Sequence, residues 1–138
     1  MNKIKKVTVH AGHNPSGKIA CGASDLLDES TEARWITRKV VKLLKKNGIK
    51  AVNCTVNNGT SQSDVLRKIC AKCNAVADAD LHISIHLNSG RADKKGDGNI
   101  LVEVCFVDDK DDYMLYRADR PDVARAIVKA VLNHNKAC

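Results

Sequence analysis

The residues best placed to do chemistry begin with 80–88, Asp-Leu-His-Ile-Ser-Ile-His-Leu-Asn. Leu81, Ile83, Ile85 and Leu87 alternate with His82, Ser84 and His86, the period of a strand that buries one face. The other face then carries two imidazoles and a hydroxyl. His86 sits near the C-terminal end, before Asn88-Ser-Gly90, and that edge of an α/β sheet is where ligands bind. Taken alone, the same pattern also describes a half-exposed strand with its polar residues in water.

Three more residues give the pattern a direction. Glu103 stands in Ile-Leu-Val-Glu-Val-Cys-Phe-Val, where every neighbour is apolar. Burying a carboxylate is costly unless it is paired, metal-bound or protonated. Glu103 is therefore either a sheet-edge residue facing water or a carboxylate held in a cleft for general base work. His13 follows the first expected strand, so His13 and His86 can converge at one end of a parallel sheet. Glu29, at the start of the first expected helix, can point at the same edge. Two histidines and one carboxylate form a known catalytic zinc set, with a fourth position left for water. Spacing alone leaves two choices open, because Glu32 fills the helical role as well as Glu29 and His10 rivals His13.

The elements that must position these residues follow from periodicity and punctuation. Lys5 to Val9 reads as a strand, and Gly12, Pro15 and Gly17 turn the chain after it. Asp28-Glu-Ser-Thr-Glu32 is a helix start with acids in its first turn; Ile36, Val40, Leu43 and Leu44 recur at helical spacing, and Asn47-Gly48 ends the run. Residues 51–56 form a β-branched strand. Ser61 and Asp64 read as a capping pair for a second helix with Val65, Leu66, Ile69, Cys70, Cys73 and Val76 on its core stripe. Residues 89–99 read as a solvated loop, and Ile100 to Val107 as a strand buried on both faces. The acidic stretch 108–120 reads as irregular apart from a helical turn near Tyr113–Tyr116. Pro121 then opens a last helix with Val123, Ala124, Ile127, Val128 and Val131 toward the core. This order predicts an α/β fold, with a mainly parallel central sheet and flanking helices.

The totals agree with one domain spanning 1–138. Of 138 residues, 43% are hydrophobic and 28% charged, a balance that excludes a disordered chain. No apolar run approaches a membrane span, so membrane insertion is not expected. The basic start Met-Asn-Lys-Ile-Lys-Lys leads straight into Val7 without an apolar signal region, so no signal peptide is expected. The net charge of +7 favours anionic partners. Nucleic acid is not expected, because only 3% of residues are aromatic and stacking platforms are scarce. The six cysteines read as reduced thiols. Cys54 and Cys105 fall inside expected buried strands, and Cys70 and Cys73 lack the second pair that a zinc ribbon needs. The lysine pairs 45–46 and 94–95 read as solvated surface.

Together, Val-Thr-Val-His-Ala-Gly-His13, Asp-Glu29-Ser-Thr, Ser-Ile-His86-Leu-Asn and Val-Glu103-Val-Cys-Phe-Val-Asp resemble the zinc-dependent N-acetylmuramoyl-L-alanine amidases of autolysins and phage endolysins. The resemblance implies one zinc ion held by His13, Glu29 and His86, with Glu103 as catalytic base. Glu29 is preferred to Glu32 because its distance to Gly48 matches the family. The implied reaction hydrolyses the amide between N-acetylmuramic acid and the L-alanine of the peptidoglycan stem peptide. At 138 residues no separate wall-binding domain is expected; with no signal peptide expected either, the resemblance implies cytoplasmic synthesis, with access to the wall after release or lysis. One departure stands out, since family members usually carry a longer segment, with a further strand and helix, where this chain has only residues 89–99. That departure motivates a second reading, a peptidoglycan-binding module that does not cut. Charge alone motivates a third, a basic nucleic-acid-binding domain. Nothing in the residues sets an oligomeric state.

Overall fold

A computed structural model describes residues 2–89 and 100–138. Four strands, β1 (Lys6–Ala11), β2 (Lys50–Asn53), β3 (Leu81–Asn88) and β4 (Ile100–Phe106), form one sheet in the order β2-β1-β3-β4. Every pairing is parallel. Helices α1 (Glu29–Lys46), α2 (Gln62–Asn74) and α3 (Lys110–Ala137) complete the expected α/β order. The chain leaves β1 toward β2 on one side and returns to β3 on the other. The crevice between the ends of β1 and β3 is thus a topological switch point.

One face of the sheet makes the main core. Val7, Val9, Ala11, Ile83, Ile85 and Leu87 meet α1 and α3 there and are all buried. From α1 come Ala33, Ile36, Val40 and Leu44, and from α3 come Tyr116, Ala124, Val128 and Val131. These positions recur at three- and four-residue intervals, so the amphipathic stripe seen in the sequence is the packing surface. A smaller cluster of Cys54, Val56, Val65, Ile69 and Cys73 seats α2 against the chain after β2.

Four expectations change in the structure. β4 is not buried on both faces: Leu101 is 47% exposed, Glu103 is exposed, and Val102 and Val104 are only partly covered. It is the last strand of the described sheet, with α3 on one side, and a run of apolar letters does not reveal an edge. α3 begins at Lys110 rather than Pro121. Asp109 caps it by accepting from the backbone N–H groups of Asp111 and Asp112, each at 2.9 Å, and Asp112 in turn accepts the Phe106 N–H at 2.8 Å. Within the stretch that reads as irregular, Asp109 is the helix cap and Asp112 ties the first turn to β4. Pro121 still marks a boundary, because the helix leaves helical geometry at Asp119 (φ −117°, ψ 17°), two residues before it. On α2, Cys73 is buried but Cys70 and Leu66 face out. β2 stops at Asn53, leaving buried Cys54 and Val56 just beyond it rather than within it.

The bridge expected as a solvated loop falls, apart from exposed Ser89, outside the described residues. Ile100 stands level with Ile83, five residues before the end of β3 at Asn88. Eleven residues extend to about 36 Å, enough to cover that distance. β4 can therefore lie parallel to β3 despite so short a connection.

Core and edge should respond differently to truncation. Ile85→Ala removes a fully buried side chain and should cost roughly 2–5 kcal/mol. Leu101→Ala on the exposed face of β4 should cost under about 1 kcal/mol. Urea unfolding of the two variants would measure the difference, and equal losses would contradict the edge position of β4.

Candidate metal centre

Two strands and one helix deliver three side chains to the switch point. Gly12 extends the β1–β3 ladder by one bond, its N–H donating to the Ile85 carbonyl at 2.9 Å. A Cβ there would lie 2.0 Å from the His86 ring, so only glycine lets that ring lie across the end of β1. The next residue, His13, turns out of the strand with φ 62°, a left-handed conformation that costs a non-glycine residue about 1–2 kcal/mol.

Buried polar contacts hold that turn in place. Asn14 is fully buried; its amide donates to the Ile19 and Gly59 carbonyls at 2.8 and 2.7 Å, and its oxygen accepts the Gly59 N–H at 2.9 Å. Ser30 donates to the Asn14 carbonyl at 2.6 Å. The Arg34 guanidinium donates to the carbonyls of His13 and Val56, both at 2.9 Å. The His13 loop, α1 and the chain after β2 are thus tied at one point.

α1 begins where the site needs a carboxylate. Asp28 caps it, accepting the Thr31 N–H at 2.7 Å and the Ser16 hydroxyl at 2.7 Å. Glu29 therefore occupies the first turn, where the helix dipole favours negative charge, and is only 3% exposed. Its Oε1 lies 3.2 Å from His13 Nε2 and 3.0 Å from His86 Nδ1, and accepts the Leu87 N–H at 3.2 Å. Oε2 accepts the Ala23 N–H at 3.0 Å. Gly22, with φ 83°, leaves room for this carboxylate, since a Cβ there would stand 2.5 Å from Oε2 and 2.8 Å from the His13 ring.

The two imidazoles stand edge to face, with centroids 5.0 Å apart and planes at 81°. Candidate donor atoms of His13, Glu29 and His86 all lie within 4.8 Å of one another. Both histidine side chains remain 16–18% exposed, so the group opens to solvent on one side. Two neutral nitrogens and a carboxylate with one open side are a donor set suited to a divalent transition metal.

Electrostatics follow from the same contacts. Burial alone would push the Glu29 carboxyl up, but hydrogen bonds from His13, His86 and the Ala23 N–H outweigh it and hold the pKa well below the usual carboxylate range. The bond to Glu29 raises His13 against the opposing effect of burial.

The structure also sets apart the candidates that spacing left open. Glu32 turns toward α3, accepting from the Tyr116 hydroxyl at 2.6 Å and pairing with Arg120 at 2.7 Å. His10 lies outside the group, its pKa lowered to about 4, chiefly by burial. His82 bonds the Thr8 hydroxyl. Glu103 is not part of the three-residue group, but it pairs in register with His86, on the same face of the neighbouring strand. Cys54 is pushed up to about 12, first by burial and then by Cys73, as befits packed thiols. By sequence alone, Gly12 reads as chain punctuation, and Asn14, Arg34 and Gln62 carry no signal of a role. Their contacts are long-range, and only a glycine directly before a strand-end histidine hinted at a close approach.

A family model described as N-acetylmuramoyl-L-alanine amidase matches residues 7–99. The chain belongs to that family. The match covers all three clustered residues and ends before Glu103. An uncharacterized 38.4 kDa protein of Clostridium perfringens is 35% identical over 83 residues, which are 60% of this chain. This amidase-family chain spans 23% of that relative's length. Among solved structures, the catalytic domain of the CD27L endolysin targeting Clostridia difficile superposes with a TM-score of 0.70 at 18% identity, covering 94% of this chain and 97% of that one. The catalytic domain of CwlV, an N-acetylmuramoyl-L-alanine amidase from Bacillus (Paenibacillus) polymyxa var. colistinus, gives 0.50 at 22% identity over 64% of this chain and 48% of that one. At these identities the superpositions establish a common fold.

Two outcomes test the geometry. Gly12→Ala should drive the His86 ring off Glu29, so its ring resonances in NMR should move to those of a solvated histidine; unchanged resonances would refute the close approach. In metal-free protein, the lowered Glu29 gives stability that is full above about pH 4.5 and lost as pH falls through its folded value. The raised His13 gives stability that is full below about pH 6.5 and lost as pH rises through its folded value. Thermal melts should therefore show the gap between wild type and Glu29→Gln widest between those limits, and a flat gap would contradict the pairing.

Proposed function

We propose that this domain is a zinc-dependent hydrolase that cleaves the amide between N-acetylmuramic acid and the L-alanine of the peptidoglycan stem peptide. The observation that carries the reading is the convergence of His13, Glu29 and His86 within 4.8 Å at the switch point of an amidase-family fold. These three residues would hold one zinc ion, with Glu29 kept anionic and both imidazoles able to present a lone pair. Bound there, zinc supplies Lewis acidity toward a water and the scissile carbonyl oxygen. Glu103, one strand over on the face of His86, takes the water proton and passes it to the departing alanine nitrogen. The net charge of +7 suits an anionic wall polymer. The likeness to an endolysin catalytic domain and a cell-wall amidase supports the same substrate. Among the described residues, no helix is long and apolar enough to cross a membrane.

A second reading rests on Glu103, which is exposed on β4 and lies beyond the family match. A domain that binds zinc and wall but lacks a positioned base would grip peptidoglycan without cutting it.

Digestion of purified peptidoglycan, with and without chelator, separates the two. Mass spectrometry should find stem peptides with a new free L-alanine amine, lost on chelation and restored by zinc. Glu103→Gln should keep zinc yet lower turnover by at least about a hundredfold, whereas His86→Ala should lose the metal. Zinc-loaded, folded protein that yields no such peptides would favour the binding module, and full activity in Glu103→Gln would remove Glu103 from the mechanism.

A further inference from the structure

The two ring nitrogens of His13 have different neighbours. Nε2 faces Glu29 within the three-residue group, and Nδ1 lies 3.2 Å from Oε1 of Gln62. A neutral imidazole carries one proton, so a ring that offers Nε2 as a ligand must hold it on Nδ1 and donate it. The partner this requires is an oxygen acceptor. The Gln62 amide supplies one without adding charge, and the reverse amide orientation would set N–H against N–H.

Gln62 is placed for this by contacts independent of the ring. It is the first residue of α2, directly after the cap Ser61, whose hydroxyl accepts the Asp64 N–H at 3.1 Å. The Asp64 carboxylate accepts the Thr60 N–H at 2.9 Å and pairs with Lys68 at 2.9 Å, fixing the turn into the helix. One residue earlier, Gly59 makes its reciprocal bonds with Asn14, the neighbour of His13. The start of α2 and the His13 loop are thus clamped backbone to side chain, and the Gln62 amide closes the remaining gap to the ring.

We propose that Gln62 is a positioning residue of the metal centre: with the cation on Nε2, its side-chain oxygen accepts the Nδ1–H of His13 and so holds the ring in the plane that presents Nε2. The proposal rests on the metal-hydrolase reading above. Metal-bound histidines are generally oriented by such a partner, and its loss costs 10–100-fold in affinity. Gln62 is exposed, which places the expected effect at the lower end.

Gln62→Met keeps the length of the side chain and removes the acceptor, whereas Gln62→Glu restores one. Without metal, Nε2 faces the Glu29 carboxylate and carries the proton, so the informative spectra are those of the zinc-loaded protein, where the His13 proton sits on Nδ1. Long-range 1H–15N spectra should show that Nδ1–H protected from exchange in wild type, exchanging faster in Gln62→Met and protected again in Gln62→Glu. Competition with a chromophoric chelator should show zinc held about tenfold more weakly by Gln62→Met and at wild-type strength or tighter by Gln62→Glu. Thermal unfolding of the metal-free variants should match wild type, which a purely structural role would not allow. A Gln62→Met protein with wild-type Nδ1–H exchange and zinc affinity overturns the proposal. Wild type that binds zinc with a protected Nδ1–H but releases no peptide from peptidoglycan leaves it standing while the amidase reading falls. Wild type that binds no zinc overturns both.

Discussion

The structure depends on keeping one carboxylate charged while nearly buried. Glu29 is 3% exposed beneath the end of the sheet, where an unmet negative charge would be costly. Four neighbours answer it, namely the imidazoles of His13 and His86 and the backbone N–H groups of Leu87 and Ala23. The first turn of α1 adds its dipole. Each condition places a demand elsewhere. Asp28 must cap α1 one residue earlier so that the first turn points inward, and Gly22 must leave space beside the carboxylate. His13 must leave β1 in a left-handed conformation that Asn14 and Arg34 then hold. The side chain that sits worst in a hydrophobic core thus organises the loop that surrounds it.

The same helix shows how closely position decides role. Glu29 and Glu32 stand one turn apart, and both look like ordinary first-turn acids. Glu29 faces the crevice between β1 and β3, while Glu32 faces α3 and is taken up by Tyr116 and Arg120. That second contact gives α3 a polar anchor where it crosses α1, near the Arg120 guanidinium stacked 4.0 Å over Trp35. One acid is thereby kept for a site and the other for helix packing.

Much of this was legible in the sequence because it is written locally. The alternation in 81–88, the helical stripe through Ile36, Val40 and Leu44, and the Ser61 cap all depend on near neighbours, and the structure keeps them. What sequence could not show depends on neighbours far along the chain. The edge position of β4 is set by which strands surround it, so a continuous apolar run was misread as doubly buried. The acids before Pro121 look irregular because Asp disfavours helix interiors, although Asp109 and Asp112 serve at the helix start. Asn14 with Gly59, and Gln62 with His13, meet only after β2 and α2 have packed. The choice of Glu29 over Glu32 rests on resemblance; the structure sets Glu29 beside His13 and His86 and turns Glu32 toward α3.

The clustered residues and Glu103 stand in different relations to the fold. His13, Glu29 and His86 are knitted into the packing: the ladder end, the helix start and the crevice all need them or the space they occupy. Among the described residues Glu103 shows no such ties; it is exposed on β4, in backbone register with His86. The fold can thus preserve the three-residue group while leaving position 103 free to vary. Under the proposed function, hydrolysis and mere gripping then differ by one exposed side chain rather than by architecture. The short connection before β4 bears on the same point, because the register it allows is what keeps Glu103 beside His86.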